Sequence, residues 1–551
     1  MREIITIQVG QAGNSIGEKF WELACDEHGI DHCGNFHGES DLQLERINVY
    51  FTEVRNQRYV PRSIFIDLDQ TSINKIQNSN NKNLFNPEFL INGKMSASNN
   101  FAKGYFTEGV EILPESMDII RKIAEECDLV HGFQFLHSIS GGAGGGLGSL
   151  LIDYIRQEYS DRIIKSYSIF PALSMSQVVV REGQECSERG HSVEPYNSVL
   201  TMNHLIENTD ETFCFDNITL FDILSKTLRL SSANFTDINQ ILAQVMIGIT
   251  ACFRFPGQLN MDLRKLAVNM IPFPTLHFLT TSFSPLYARQ IFRYQNINEH
   301  MLIKQMFNIN NQMLAFNPQH GKYLTATGIF RGRTLSLKLL HDLISKENNN
   351  QQFVQWIPNN CKIAHCDIPP KGLLRSVTGI ANNTGIIKQF DYILQPFTKL
   401  FQRRAFLHWF IGEGMEEIGI ELIEEPNGDV SIRNRSWSCS VFVQSILYNR
   451  LNGLSDSTVY HLQSRRSIPS IFNLSIITQL VNNPSATYES ILDLTKLCTI
   501  QVSFKYGWGY DFGQREITST PCWLSILINE PLRLIDTRLQ QLQPQQATTS
   551  S

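Results

Sequence analysis

The run Ser140-Gly141-Gly142-Ala143-Gly144-Gly145-Gly146-Leu147-Gly148 concentrates glycine between two apolar segments. Before it, Phe133, Phe135 and Leu136 read as a short buried strand; after it, Leu147, Leu150, Leu151, Tyr154 and Ile155 fall at helical spacing. A strand, a glycine turn and a helix leave bare backbone N–H groups at a helix N-terminus, where unpaired donors and the helix dipole favour a phosphate. A flexible linker is the plainer reading of a glycine run, but linkers seldom sit tightly between two apolar elements. No Gly-Lys-Ser/Thr follows, so this is not a P-loop, and the GxGxxG spacing of a dinucleotide-binding turn is absent. Phosphate here would be held by backbone donors without a lysine.

The elements that position such a loop repeat at the start of the chain. Ile4 to Val9 reads as a strand running into Gly10-Gln11-Ala12-Gly13-Asn14, and a helix follows with Ile16, Phe20, Leu23 and Ala24 on one face and Gly29 as its stop. Repeated strand–turn–helix units predict a mostly parallel sheet covered by helices, with ligands at the C-terminal strand edge. The 551 residues suggest roughly three or four domains. A hydrophobic share of 42% with 18% charged residues is that of an ordinary globular protein. A net charge of −6 gives no support to general nucleic-acid binding. No apolar run approaches spanning length and the start MREIITIQVG has no signal-peptide pattern, so no membrane partner is expected. The 11 cysteines are scattered without CxxC pairs, which points to reduced thiols. Residues 1–424 carry 37 basic and 44 acidic side chains, and 425–551 carry 10 and 9, a shift that coincides with the turn-rich Glu424-Glu425-Pro426-Asn427-Gly428-Asp429.

The segments MREIITIQVGQAGNSIGEKFWE, SDLQLERINVY, PYNSVLTMNHLIENTDET, RFPGQLNMDLRKLAVNMIPFP and RAFLHWFIGEGM, in this order, make residues 1–424 resemble beta-tubulin. The resemblance implies an α/β fold with a GTP-binding domain at 1–219, an α+β intermediate domain at 220–397 and a truncated C-terminal helical region at 398–424. It further implies a site for GTP or GDP with Mg2+. Gln11 would lie against the phosphates, Ser138 and Gly142-Ala143-Gly144 would cradle them, and Asn99 would approach the γ-phosphate. Glu194 would reach the ribose, Asn217 and Asn239 would pair with the guanine edge through their amides, and Phe235 would stack on the base. Asp69 falls where the family has a glutamate near the magnesium and would hold the ion through water.

Several positions depart from that pattern. Ala143 replaces a threonine and Gly145 a serine or alanine in the loop, Phe235 replaces a tyrosine, and Gln177 an aspartate. An insertion of about thirteen residues occupies about 181–193, where the family reaches the ribose and the longitudinal neighbour. In tubulins a helix of the next subunit completes the nucleotide site. The alpha form offers a glutamate there and the beta form a lysine, which Lys265 matches. A protonated lysine is no general base, so hydrolysis of this chain's own nucleotide would need a glutamate from an alpha-type partner. Pro285 to Tyr294, a lateral-contact segment in the family, keeps its length but loses most of its small polar residues.

From Gly428 onward the stretches SVFVQS, YESILDLTKLCTIQVSF, YGWG and TSTPCWLSILINEPLRLID resemble the Mad-homology 2 domain of Smad transcriptional effectors. The resemblance implies a partial β-sandwich at 428–543 lacking its opening strands, followed by a low-complexity tail at 544–551. Thr499 to Phe504 alternates as a strand, and Leu532, Ile535, Leu539 and Leu542 recur as a helix over 531–543. Smads use the loop corresponding to Tyr506–Arg515 to contact receptors and phosphorylated tails. Thr549 and Ser551 would occupy the phosphoacceptor positions of such a tail.

Three readings follow from this combination. The first is a divergent beta-tubulin that binds GTP, pairs with alpha-tubulin in the microtubule lattice and carries an appended Smad-like interaction module. The second is a non-polymerising scaffold or signalling protein that binds Smad proteins or receptor kinases through 428–551. The third is two neighbouring genes read as one. A cytoplasmic, cytoskeletal location is expected from the first part, with a nuclear one added by the second.

Overall fold

The computed structural model describes residues 2–38, 40–54, 58–171, 193–230, 233–257, 262–287, 297–332, 335–348, 353–415, 420–425, 428–434, 440–463, 466–483, 488–504, 507–509, 516–520 and 522–542. Most of the insertion at 181–193, Gln177, part of the 285–294 segment, most of the 506–515 loop and the tail with Thr549 and Ser551 lie outside the described residues. The chain divides into two compact units, Met1–Gly414 and Met415–Ser551.

The first unit is built on one ten-stranded sheet. Its strands are β1 (Glu3–Val9), β4 (Ser63–Asp67), β5 (Leu90–Asn92), β6 (Val130–Ser138), β7 (Ile163–Phe170), β8 (Glu211–Asp216), β9 (Phe278–Ser284), β10 (Tyr323–Arg331), β11 (Cys361–Cys366) and β12 (Ser376–Asn383). β2 (Phe51–Val54) and β3 (Arg58–Pro61) form a separate hairpin. The order is β11-β10-β12-β9-β8-β7-β6-β1-β4-β5. From β9 to β5 every pairing is parallel, while β12 pairs antiparallel with both β9 and β10. β1, β4, β7 and β8 are buried at every residue. This is the pattern of a parallel sheet with both faces covered. The expected nucleotide and intermediate regions thus share one sheet, joined where Thr212–Cys214 pair with Phe278–Thr280.

Helices follow the strands: α1 (Gly10–His28), α2 (Gln70–Gln77), α3 (Glu108–Glu125), α4 (Gly148–Glu158), α5 (Glu194–Asn208), α6 (Asn217–Asp222), α7 (Phe235–Arg254) and α8 (Leu263–Met270). α1 ends at Gly29, whose φ of 70° gives the left-handed C-terminal stop that the sequence predicts. On one face of the sheet, Phe20, Trp21 and Ala24 of α1 pack with Leu242, Val245 and Met246 of α7. On the other, Met117 and Ile120 of α3 pack with Leu151 and Ile155 of α4.

One buried ionic cluster ties distant parts of this unit together. Glu27 of α1 accepts from Arg254 of α7 at 2.8 Å and from Arg331 of β10 at 2.9 Å. Burial opposes ionisation of Glu27, but the two guanidinium groups outweigh it and hold the carboxyl below its ordinary range. A carboxyl held low stabilises the fold above the ordinary carboxylate pKa, and that contribution fades as pH falls through the depressed value. Replacing Arg331 by Met removes one of the two cations. Glu27 keeps Arg254, so the loss is that of one hydrogen bond to a charged group, about 1.5–3 kcal/mol. Urea unfolding of Arg331→Met should show a deficit of this size at neutral pH that shrinks at acid pH; a neutral substitution would contradict the cluster's role.

The second unit begins earlier than the sequence suggests. Ile420–Glu424, expected in the helical region, is strand β13, paired antiparallel with β14 (Val430–Asn434). The apolar alternation of Ile420, Leu422 and Val430, Ile432 flanks a turn, so the segment read as a boundary is a hairpin connection. β17 (Ser467–Phe472) completes this three-stranded sheet, so strands do precede the stretch at 440–445. A four-stranded antiparallel sheet has the order β16 (Tyr460–Leu462), β15 (Val441–Ser445), β18 (Thr499–Phe504), β19 (Trp523–Leu527). The predicted strand at 499–504 is β18, and the predicted terminal helix spans Asn529–Leu542. Ile432, Val441, Ile471, Ile477, Val502 and Ile535 form part of its own core.

Candidate functional site

The C-terminal ends of β1, β4, β6 and β8 lie on the same edge, because these strands belong to one parallel set. That edge therefore collects Gly10–Gln11, Asp67–Asp69, Ser138–Gly148 and Asp216–Asn217. β1 and β6 are direct neighbours, and their turns approach at backbone distance. A Cβ on Gly10, whose φ is +74°, would stand 3.0 Å from the Gly144 nitrogen. A Cβ on Gly144 would stand 2.6 Å from the Ser138 carbonyl oxygen. Only glycine permits this closeness at Gly10 and Gly144.

Gly142–Leu147 forms a wide helical turn leading into α4, with Gly141 extended before it. Neither Val9, before α1, nor Gly141 supplies a side-chain cap. First-turn amides of both helical segments therefore lack the intrahelical partners that interior amides have. This cradle of converging backbone donors fits a phosphate, the chemistry expected of the loop. His137, fully buried behind it, bonds through Nδ1 to the Gly144 carbonyl at 2.9 Å and through Nε2 to Ser168 Oγ at 2.9 Å. Burial pushes its pKa down to about 4, only partly offset by the Gly144 bond, so it is neutral at pH 7.

Asn99 enters from another loop and is held to the glycine run by Asn197, a residue the sequence reading passes over. Asn197, completely buried on α5, donates through Nδ2 to the Asn99 carbonyl at 2.8 Å and to the Ser140 carbonyl at 2.9 Å. Its Oδ1 accepts from the Phe101 amide at 3.0 Å. Its sequence signal is faint: nothing in the local sequence sets it apart from Ser198 and Thr201, polar residues of the same helix that are equally buried. Ser138 Oγ and Ser140 Oγ lie 3.0 Å apart at the loop entry. Gln11 is exposed in the first turn of α1, and Glu194 is half-buried in the first turn of α5.

The three residues expected at the base come from adjoining elements. Asn217 opens α6 behind the cap Asp216, whose burial raises its pKa to about 6. Phe235 opens α7 and is 63% exposed, meeting Phe221 of α6 edge-on at 5.6 Å. Asn239 lies four residues on and so shares the helix face of Phe235. An open phenyl face beside polar amides suits a planar heterocycle.

Asp69 has a structural task as well. It is exposed and caps α2, accepting from the Thr71 amide at 3.4 Å and Thr71 Oγ1 at 2.9 Å. Asp67, two residues earlier, is buried at the strand end and accepts from Ser72 Oγ; burial raises its pKa. Lys265 is exposed on α8, whose Leu263, Leu266 and Met270 face the core. Among the described residues no group of three or more metal-ligating side chains is assembled, so magnesium here would depend on phosphate oxygens and water for most of its shell.

Two outcomes test this geometry. Gly144→Ala drives a methyl into the Ser138 carbonyl, and guanine-nucleotide affinity, read by equilibrium dialysis, should fall at least about tenfold with far-ultraviolet circular dichroism unchanged; retained affinity would refute the close-packed cradle. The lowered pKa of His137 means that the unfolded state takes up its proton first. Stability therefore falls as pH drops from about 6.5 towards 4, by on the order of 3 kcal/mol from this group. His137→Gln should flatten the pH dependence of the urea midpoint in that window, and an unchanged slope would exclude the contribution.

The described geometry agrees with the family comparisons. Residues 3–225 match the Tubulin/FtsZ family GTPase domain, 274–395 match the tubulin C-terminal domain, and 415–529 match the MH2 domain. The MH2 match begins where the second compact unit begins. The chain is thus made of a GTPase domain of the Tubulin/FtsZ family and a tubulin C-terminal domain, followed by an MH2 domain.

Proposed function

We propose that the first unit is a divergent beta-tubulin-like subunit that binds GTP or GDP, pairs with alpha-tubulin and enters the microtubule lattice, while the second unit is an appended protein-interaction module. The observation that carries the nucleotide part is the meeting of two uncapped helix starts, at Gly10 and Gly142, across a backbone-to-backbone contact. In this reading Gln11, Ser138, Gly142, Ala143 and Gly144 hold the phosphates and Asn99 faces the terminal one. Glu194 serves the ribose, and Asn217, Phe235 and Asn239 bind guanine. Asp69, with Asp67 behind it, orients the hydrated magnesium. Lys265 takes the beta-type position at the longitudinal contact, so the chain leaves the neighbouring nucleotide without a base. Smad proteins or receptor kinases are the partners that an MH2 domain suggests, with Thr549 and Ser551 as phosphoacceptors.

A scaffold that binds nucleotide without polymerising is the second reading, favoured by the separate core of the second unit. One preparation separates the two. Chain equilibrated with saturating GTP and magnesium, then gel-filtered and acid-denatured, should release close to one guanine nucleotide per chain, read by chromatography. No guanine nucleotide would refute the site. Co-sedimentation with polymerising tubulin is the outcome for a lattice subunit; a nucleotide-loaded chain left in the supernatant would select the scaffold.

A further inference from the structure

Seven non-glycine residues among those described have positive φ, and four of them fall on two segments that touch: Ser98 (49°) and Asn99 (58°), and Arg404 (52°) and Phe406 (62°). For Ser, Arg and above all Phe this left-handed backbone is strained, and such strain persists only where the surroundings enforce it. Arg404 follows the helix Ile387–Gln402 at the position where glycine usually ends a helix. Phe406 precedes the short helix Leu407–Gly412, after which the first unit ends at Gly414.

Specific bonds enforce the two strained segments on each other. Asn100 Nδ2 donates to the Trp409 carbonyl at 2.9 Å while its Oδ1 accepts from the Ala102 amide at 3.0 Å. Thr107 Oγ1 donates to Glu413 Oε2 at 2.7 Å. From α5, Tyr196 donates through its hydroxyl to the Ala405 carbonyl at 2.9 Å, between the two strained residues. Its ring packs against Phe397 and Phe410 at 5.5 and 5.4 Å. The very next residue, Asn197, holds Asn99 and Ser140. Two adjacent side chains of one helix therefore grip the loop carrying Asn99 on one side and the segment 404–413 on the other.

We infer that the segment Arg404–Gly414 is a built-in sensor of the Asn99 loop: a change in that loop is transmitted through Asn197–Tyr196 and Asn100–Trp409 to the stretch from which the chain passes into its second unit. The ligand of this device is the terminal phosphate of a nucleoside triphosphate, and that identification rests on the nucleotide reading above; the mechanical coupling does not. Trp409 is 61% exposed, so its carbonyl reports inward while its indole stays available at the surface.

Hydrogen exchange on the full chain tests both parts. Tyr196→Phe keeps the ring and removes only the bond to Ala405. Without nucleotide it should speed exchange of the Phe101 and Ala102 amides, at the far end of the latch, about fivefold, the effect of losing one net hydrogen bond. Identical exchange of both segments in variant and parent overturns the coupling. With nucleotide, the amides of Trp409, Glu413 and Gly414 should exchange more slowly in GTP than in GDP, and this difference should vanish in Tyr196→Phe and in Asn100→Ala. Equal protection by bound GTP and bound GDP overturns the sensing role. If the parent chain binds no guanine nucleotide yet Tyr196→Phe still loosens Phe101 and Ala102, the coupling stands and the nucleotide reading falls.

Discussion

The backbone contact between the turn after β1 and the turn after β6 is the constraint on which the site depends. A methyl on Gly10 would stand 3.0 Å from the Gly144 nitrogen across the two turns, and within the second turn a methyl on Gly144 would stand 2.6 Å from the Ser138 carbonyl oxygen. Flexible side chains can move aside, but backbone cannot. This closeness brings two helix starts without side-chain caps next to each other, and such starts carry amides free of intrahelical partners. Other glycines of the run are confined in their turn by different neighbours, Gly142 by the Asn100 backbone, Gly145 by Thr201 and Gly146 by the Phe101 carbonyl.

A contact of this kind needs a rigid frame, and the frame extends well beyond the loops. β1 carries the Gly10 turn and leads into α1, and the far end of α1 holds Glu27 against Arg254 and Arg331. The buried cluster thereby fixes α1 to α7, which opens with Phe235, and to β10 of the same sheet. A buried ion pair is weak evidence for stability as such, since a hydrophobic replacement of the whole cluster can be as stable. Its value here is directional. Guanidinium and carboxylate bond only in a fixed geometry, so the cluster sets the axial position of α1 that hydrophobic contacts alone leave adjustable.

The parts of this design written in local sequence are legible without the fold. Runs such as Ile4–Val9 and Thr499–Phe504, and the stop at Gly29, follow from periodicity and glycine chemistry over a few residues. The glycine run announced a phosphate loop for the same reason. What remained hidden depended on contacts distant in sequence. Asn197 reads as a routine polar residue in PYNSVLT, and only the fold brings it between Asn99 and Ser140, residues 98 and 57 positions away. Asp69 reads as a metal-side acid, yet its first engagement is local, with Thr71 in an α2 cap. Charge balance and turn residues at 424–429 signal a hairpin as readily as a linker. Pairing of Ile420–Glu424 with Val430–Asn434 decides between them.

The polar groups around the glycine loop bear on what it can do once occupied. His137 is kept neutral by burial, and both its nitrogens are engaged with Gly144 and Ser168. Asp67 binds Ser72, and Asp69 binds Thr71. Asn197 spends its amide on the two loops. These side chains shape the cradle, and each already has a partner whose loss would disturb the loop it supports. A general base must instead stand within reach of an attacking water and be free to take its proton. Tight binding and fast hydrolysis therefore make different demands on this surface. The backbone donors of the glycine run meet the first without any acid or base.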